Sequence, residues 1–92
     1  MIIMNISVKL MPPYRKKGDP GEHPLTLEKD QLQLEELAGY LSANHKELFG
    51  YALIDERGLL TAEFIVNGKH AILDYQLKDG DMVTVIPYIC GG

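Results

Sequence analysis

Only one stretch of this chain carries a helical period, and strand-like alternation flanks it on both sides. Leu34, Leu37, Ala38 and Leu41 recur at three- and four-residue intervals. That spacing predicts one amphipathic helix over about residues 33–45, with His45 next on the same stripe. Glu35 and Glu36 fall in its first turn, where the helix dipole favours anions. A helix with one apolar stripe has to cover an apolar surface, and with no second helix to meet, a sheet is what it covers. The 92 residues are expected to form one small domain spanning 1–92.

Ahead of the helix, Met4, Ile6, Val8 and Leu10 alternate with Asn5, Ser7 and Lys9. Residues 2–11 therefore read as a half-buried strand with its even positions inward. Met11 falls on the polar face, where an apolar side chain is a candidate contact. Pro12 and Pro13 end the strand. Residues 12–24, rich in proline and glycine around Arg15-Lys16-Lys17, predict a long solvated loop, with a partner-binding element as the alternative. His23 is expected at the surface without a neighbour of ligand type. Leu25 to Glu28 alternate again and should pair with the first strand. Beyond the helix, residues 46–58 show little pattern apart from a turn at Glu56-Arg57-Gly58. A strand follows through Val66, with Ala62, Phe64 and Val66 on one face and Glu63 and Ile65 on the other. Asn67-Gly68 is a favoured two-residue hairpin turn, returning the chain along Lys69 to Leu73. The order β-β-α-β-β-β makes the chain α+β.

The last sixteen residues hold the functional signal. Asp79-Gly80-Asp81 is a turn, because glycine accepts positive φ and aspartate bonds its own turn backbone. Met82 to Ile86 then form a strand, β-branched at four successive positions. Val83 and Val85 should face the helix, leaving Met82, Thr84, Ile86 and Tyr88 outward. Pro87 lacks a ladder donor and ends the strand or stands unpaired. After it comes a short tail, about residues 89–92, that closes on Gly91-Gly92. Four extended residues reach about 14 Å. A thin thread ending in a carboxylate suits insertion into another protein's narrow active site; the plain alternative is a frayed terminus.

The pattern Leu77-x-Asp79-Gly80-Asp81-x-Val83-x-x-x-Pro87-x-x-x-Gly91-Gly92 resembles the ubiquitin-like sulfur carriers. These include the small subunit of molybdopterin synthase and the sulfur carrier of thiamine synthesis. Phe64 to Gly68 resemble the strand and turn before that motif, and Leu34, Leu37 and Leu41 the family's helix. The resemblance implies a β-grasp, a mixed sheet packed on one main helix. It implies a carrier without catalytic activity, whose Gly92 carboxylate is adenylated by a ubiquitin-activating-type adenylyltransferase. A sulfur donor then makes a thiocarboxylate, and an acceptor such as the molybdopterin synthase large subunit takes the sulfur. ATP belongs to the activating partner, and no cofactor is bound by this chain. Molybdenum or tungsten cofactor synthesis is the favoured destination, with thiamine or cysteine synthesis as alternatives. A protein modifier conjugated through Gly92, and a plain β-grasp binding domain, are the readings from other classes. Met11, Ile86 and Tyr88 are the expected partner-binding residues. Gly91 and Cys90 belong to the tail, and Cys90 is expected to be incidental because no cation in sequence would activate its thiol.

Composition excludes several other classes. A net charge of −4 argues against a broad basic nucleic-acid surface. Apolar runs are too short to cross a membrane, and one cysteine rules out an intrachain disulfide and fits a cytoplasmic setting. His23, His45 and His70 lack metal-ligand spacing. Asp79 and Asp81 read as turn residues and not as a catalytic pair.

Overall fold

The Asp79-Gly80-Asp81 turn determines where the last strand enters the sheet. In the computed structural model, which describes residues 2–87, Asp81 is buried. One carboxylate oxygen accepts from the Lys78 N–H and the other from the Asn67 side-chain amide, both at 2.8 Å. Asp79 reaches the opposite way and accepts from the Asn5 N–H at 2.7 Å, while the Gly80 N–H donates to the Asn5 carbonyl. Gly80 lies at φ 89°, a conformation that costs glycine nothing. The turn is thus tied to the first strand on one side and to a hairpin on the other.

Strand β1, Met4–Leu10, pairs antiparallel with β2, Glu22–Leu27. A two-residue strand β3, Leu32–Gln33, leads into the helix α1, Leu34–Asn44. Strand β4, Ala62–Val66, turns through Asn67-Gly68 into β5, Lys69–Ala71. The short β6, Gln76–Leu77, pairs with β3, and β7, Met82–Pro87, completes the main sheet in the order β2-β1-β7-β4-β5. β7 runs parallel to β1 and antiparallel to β4, so the last strand is the middle one of a mixed sheet.

Alternation decides the faces. Met4, Ile6, Val8 and Leu10, Ala62, Phe64 and Val66, and Val83 and Val85 are all buried, against Leu34, Leu37, Ala38 and Leu41 of α1. A fully buried leucine or valine stabilises by about 2 kcal/mol relative to exposure. The Glu36 carboxylate accepts the Gln33 N–H at the start of α1, at 3.0 Å. Asn67 at φ 52° and Gly68 at φ 84° give the left-handed pair that a tight hairpin requires.

Several expectations change. β1 starts at Met4, and Ile2, an even position expected inward, is exposed. β2 begins at Glu22, so the long loop ends earlier than its prolines suggested. Pro24 is tolerated because β2 is an edge strand and the Ser7–Pro24 pair is a non-hydrogen-bonded one: the Leu10 N–H bonds to Gly21, and bonded pairs then recur at every second residue. β5 stops at Ala71, short of Leu73. His45 is the C-cap of α1 rather than part of its apolar stripe, its N–H bonding the Leu41 carbonyl. The β3–β6 pair lacked any pattern long enough to show in the sequence.

The 12–21 loop is more than a solvated connection. Tyr14 is fully buried, and its hydroxyl donates to the Thr61 carbonyl at 2.8 Å and lies 3.0 Å from the Thr61 hydroxyl. Its ring meets Tyr51 edge-on at 5.8 Å. His23 is half-buried, its Nε2 3.0 Å from Asp19, so the expectation of an unpartnered surface histidine is corrected. Desolvation pushes the Asp19 carboxyl up, but the Gly21 N–H, His23 and Arg15 together outweigh it and hold it below the ordinary aspartate range.

Asp81→Ala leaves two donors without an acceptor and should cost about 2–3 kcal/mol of stability. Denaturant unfolding checks it, and a loss under about 0.5 kcal/mol would remove Asp81 from this role. The loop should respond to acid. With its folded pKa depressed, Asp19 contributes in full above the unfolded value, about 3.9, and the contribution is lost as pH falls through the lower folded value. The acid step reported by the Asp19 carboxyl carbon should therefore fall below the ordinary aspartate range, and Asp19→Ala should abolish the matching acid step at the Gly21 amide.

Candidate functional site

β7 ends at Pro87, just ahead of the residues that the sequence assigns to a tail, and the side chains around that end form the candidate site. Each side of β7 bonds a different neighbour. The N–H groups of Ser7 and Met11 donate to the carbonyls of Asp81 and Val85, so odd residues of β7 bond toward β1. The Asn67 N–H donates to the Met82 carbonyl, so even residues bond toward β4. Pro87 is odd, and its missing donor lies on the β1 side. The carbonyl that such a donor would meet, that of Met11, already accepts the N–H groups of Tyr14 and Arg15. Proline therefore ends the parallel ladder at the point where β1 has turned away, and no bond is lost.

Met11 and Ile86, which the sequence named as partner contacts, are brought together. The β1–β7 register pairs Leu10 with Val85, and Met11 and Ile86 are one step further along. Adjacent residues of paired strands share a face, so both lie on the side away from α1. Met11 is 39% exposed and Ile86 half-buried. Met82, at 38% exposure, continues the apolar character along β7, with half-buried Thr84 between them. Glu63 stands opposite Ile86 on β4 and contacts His70 at 3.4 Å.

The basic loop shares this end of the molecule, because Met11 hands the chain directly to it. Arg15 is engaged, its Nε donating to the Asp19 carbonyl at 2.9 Å. Lys16 and Lys17 are exposed. The surface around the tail root is therefore apolar at Met11 and Ile86, with two lysines on the loop that follows Met11. Tyr88, Cys90, Gly91 and Gly92, the remaining expected site residues, lie outside the described residues.

Asp79 and Asp81 are turn residues, each carboxylate accepting backbone or amide donors. The residue that sequence reasoning undervalued is Asn67. Beyond its turn conformation, its side chain donates to Asp81 and accepts the Met82 N–H at 2.9 Å, placing the first residue of β7. The only signal for this was asparagine where other turn residues would also serve. Among the described residues, no three His, Cys, Asp or Glu side chains gather as metal ligands, and no helix is long and apolar enough to cross a membrane.

Comparison with known proteins agrees with this architecture. SAMP1 from Haloferax volcanii superposes with a TM-score of 0.71 at 18% identity, over 96% of this chain and 99% of that one. A provisionally named molybdopterin converting factor subunit 1 from Pyrococcus furiosus gives 0.69 at 24%, over 94% and 99%. The complex of subunits 1 and 2 of the molybdopterin-converting factor from Helicobacter pylori contains a chain matching at 0.54 and 23%, over 97% and 100%. At these identities the likeness establishes the fold, which is the β-grasp. No protein of curated function matches by sequence. The sequence model of the ThiS family matches residues 9–92, from within β1 through Gly92, and the chain belongs to that family of ubiquitin-like sulfur carriers.

Proposed function

We propose that this chain is a protein co-substrate that carries sulfur on its C-terminal glycine, most directly for the synthesis of a molybdopterin cofactor. The observation that carries the reading is the position of β7. It is the middle strand, clamped at its start by Asp79, Asp81 and Asn67, and its far end sets Met11 and Ile86 near Pro87, after which the sequence continues to Gly91-Gly92. The family match runs to the same glycine.

An α-carboxylate has a pKa of about 3.5, so Gly92 is ionised at neutral pH and resists attack by a nucleophile. An adenylyltransferase removes that barrier by joining the carboxylate to the α-phosphate of ATP, with pyrophosphate leaving. Sulfide-level sulfur from a donor then attacks the acyl carbon, AMP departs, and the product is a thiocarboxylate with a nucleophilic sulfur. An acceptor enzyme takes that sulfur and water restores the carboxylate. ATP is bound by the partner. Two glycines at the end let the thread pass channels that any Cβ would narrow. The molybdopterin branch draws support from the Pyrococcus and Helicobacter neighbours, the latter a complex between two subunits of one factor. The same likeness to SAMP1, a small archaeal modifier protein, favours a second reading in which Gly92 is joined to lysines of other proteins.

Incubation with an adenylyltransferase, ATP and a sulfur donor should shift the mass of Gly92 by one oxygen-to-sulfur exchange. A chain extended past Gly92, or lacking it, should fold normally by circular dichroism and accept no sulfur; full activity with a blocked terminus would end the carrier reading, and isopeptide adducts without a thiocarboxylate would favour the modifier. Ile86→Asp should weaken binding to the activating enzyme by about thirtyfold or more, the equivalent of about 2 kcal/mol at a hot spot. Calorimetry on the folded variant measures this. Unchanged affinity would move the docking surface elsewhere, to the Arg15-Lys16-Lys17 loop first.

A further inference from the structure

Away from the Met11–Ile86 face, the structure carries a second apolar surface that the carrier chemistry does not use. Of the eight large apolar side chains exposed among the described residues, Leu59, Ile72 and Leu73 line a single groove. They are 54%, 67% and 39% exposed. The groove encloses about 730 Å³ and lies where β5 has stopped but β4 continues. Only Phe64 to Val66 of β4 are paired with β5. By the every-second-residue rule, the N–H and C=O of Ala62 point to that same side, into the groove.

Its rim is acidic. Glu35 from α1, Glu63 from β4 and Asp74 from the turn after β5 border it, and His70 is the one side chain there able to carry positive charge. His70 already lies 3.4 Å from Glu63. A smaller depression continues the groove, sharing Glu35, Leu59, Leu60 and Leu73 and running along α1 past Ala38 to Gly39. Gly39 is the odd residue in this helix. Mid-helix glycine destabilises relative to alanine, yet a Cβ built there meets no atom within 4 Å. Nothing inside the molecule requires that position to be bare. A bare position does let a foreign backbone lie close against the helix.

We propose that this groove is a docking site for a segment of another protein that carries apolar anchor residues flanked by lysine or arginine. Leu59, Ile72 and Leu73 supply the apolar contact, and Glu35, Glu63 and Asp74 receive the basic flanks. The inference does not use the tail, and Glu63, the cross-strand neighbour of Ile86, is the one residue it shares with the face beside it.

The test uses the full chain, isotopically labelled, titrated at low salt with a short peptide alternating leucine and lysine and with a leucine–glutamate peptide of equal length. The basic peptide should give saturable resonance shifts confined to Leu59–Glu63, Ala71–Asp74 and Ala38–Gly39, and the acidic one none. Glu35→Lys combined with Asp74→Lys should weaken binding by about tenfold or more, or 1.4 kcal/mol. Gly39→Ala should raise the unfolding midpoint while weakening the peptide, a combination that a purely structural role cannot give. Shifts spread over the Met11 face, or equal binding of both peptides, would overturn the proposal. So would tighter binding by a chain ending at Pro87, which would make the chain's own last residues the occupant. Concentration-dependent dimerisation abolished by Ile72→Asp would likewise replace the foreign segment with a second copy.

Discussion

The Asp81 carboxylate is the contact on which the arrangement of this protein depends. It accepts from the turn that precedes it and from the side chain of Asn67 in a hairpin fourteen residues upstream. A buried carboxylate without partners would be strongly destabilising. With both oxygens satisfied, it converts two local turns into one joint between β4, β5 and β7. Asp79 extends the joint to β1 through Asn5. The final strand therefore enters the sheet at a position fixed by polar contacts before its valines add their apolar burial. A one-residue slip in β7 would expose Val83 and Val85 and bury Met82 and Thr84 in their place, which is why register and polar clamp have to agree.

Much of this was legible in the sequence because it follows from short-period patterns. Alternation from Met4 to Leu10 and from Ala62 to Val66 named the buried faces, and the leucines of α1 named its stripe. Asn67-Gly68 gave the hairpin and Asp-Gly-Asp the turn. The parts that were not legible rest on contacts between residues far apart in the chain. Tyr14 sits in a stretch whose prolines, glycines and charges argue for a solvated loop, yet it is buried through Thr61, forty-seven residues away. Pro24 argued against a strand, and only its place on the outer side of an edge strand reconciles it with one. β3 and β6 are two residues each and have no periodicity to detect. Of the candidate site, Met11 and Ile86 were readable because parity along each strand assigned them outward, and the parallel pairing then set them side by side.

An edge strand can peel away by breaking one ladder, whereas β7 is held by ladders on both sides and by the core beneath Val83 and Val85. Under the proposed carrier reading, a partner that pulled on the residues after Pro87 would work against a base held on both sides. Pro87 marks the limit of that base. It comes where the parallel ladder has no remaining acceptor, since the Met11 carbonyl is occupied by the following turn. The parallel ladder ends there without leaving an unsatisfied donor.

The two apolar surfaces differ in the charges around them. Beside Ile86 the charge is mixed, with half-buried Glu63 on the neighbouring strand and exposed Lys16 and Lys17 on the loop that follows Met11. At the β5 edge, Leu59, Ile72 and Leu73 are bordered by Glu35, Glu63 and Asp74, an arrangement that attracts a basic segment. Glu63 stands between the two faces, and an acidic group brought to the β5 edge meets three carboxylates, since like charges brought together at an interface cost several kcal/mol.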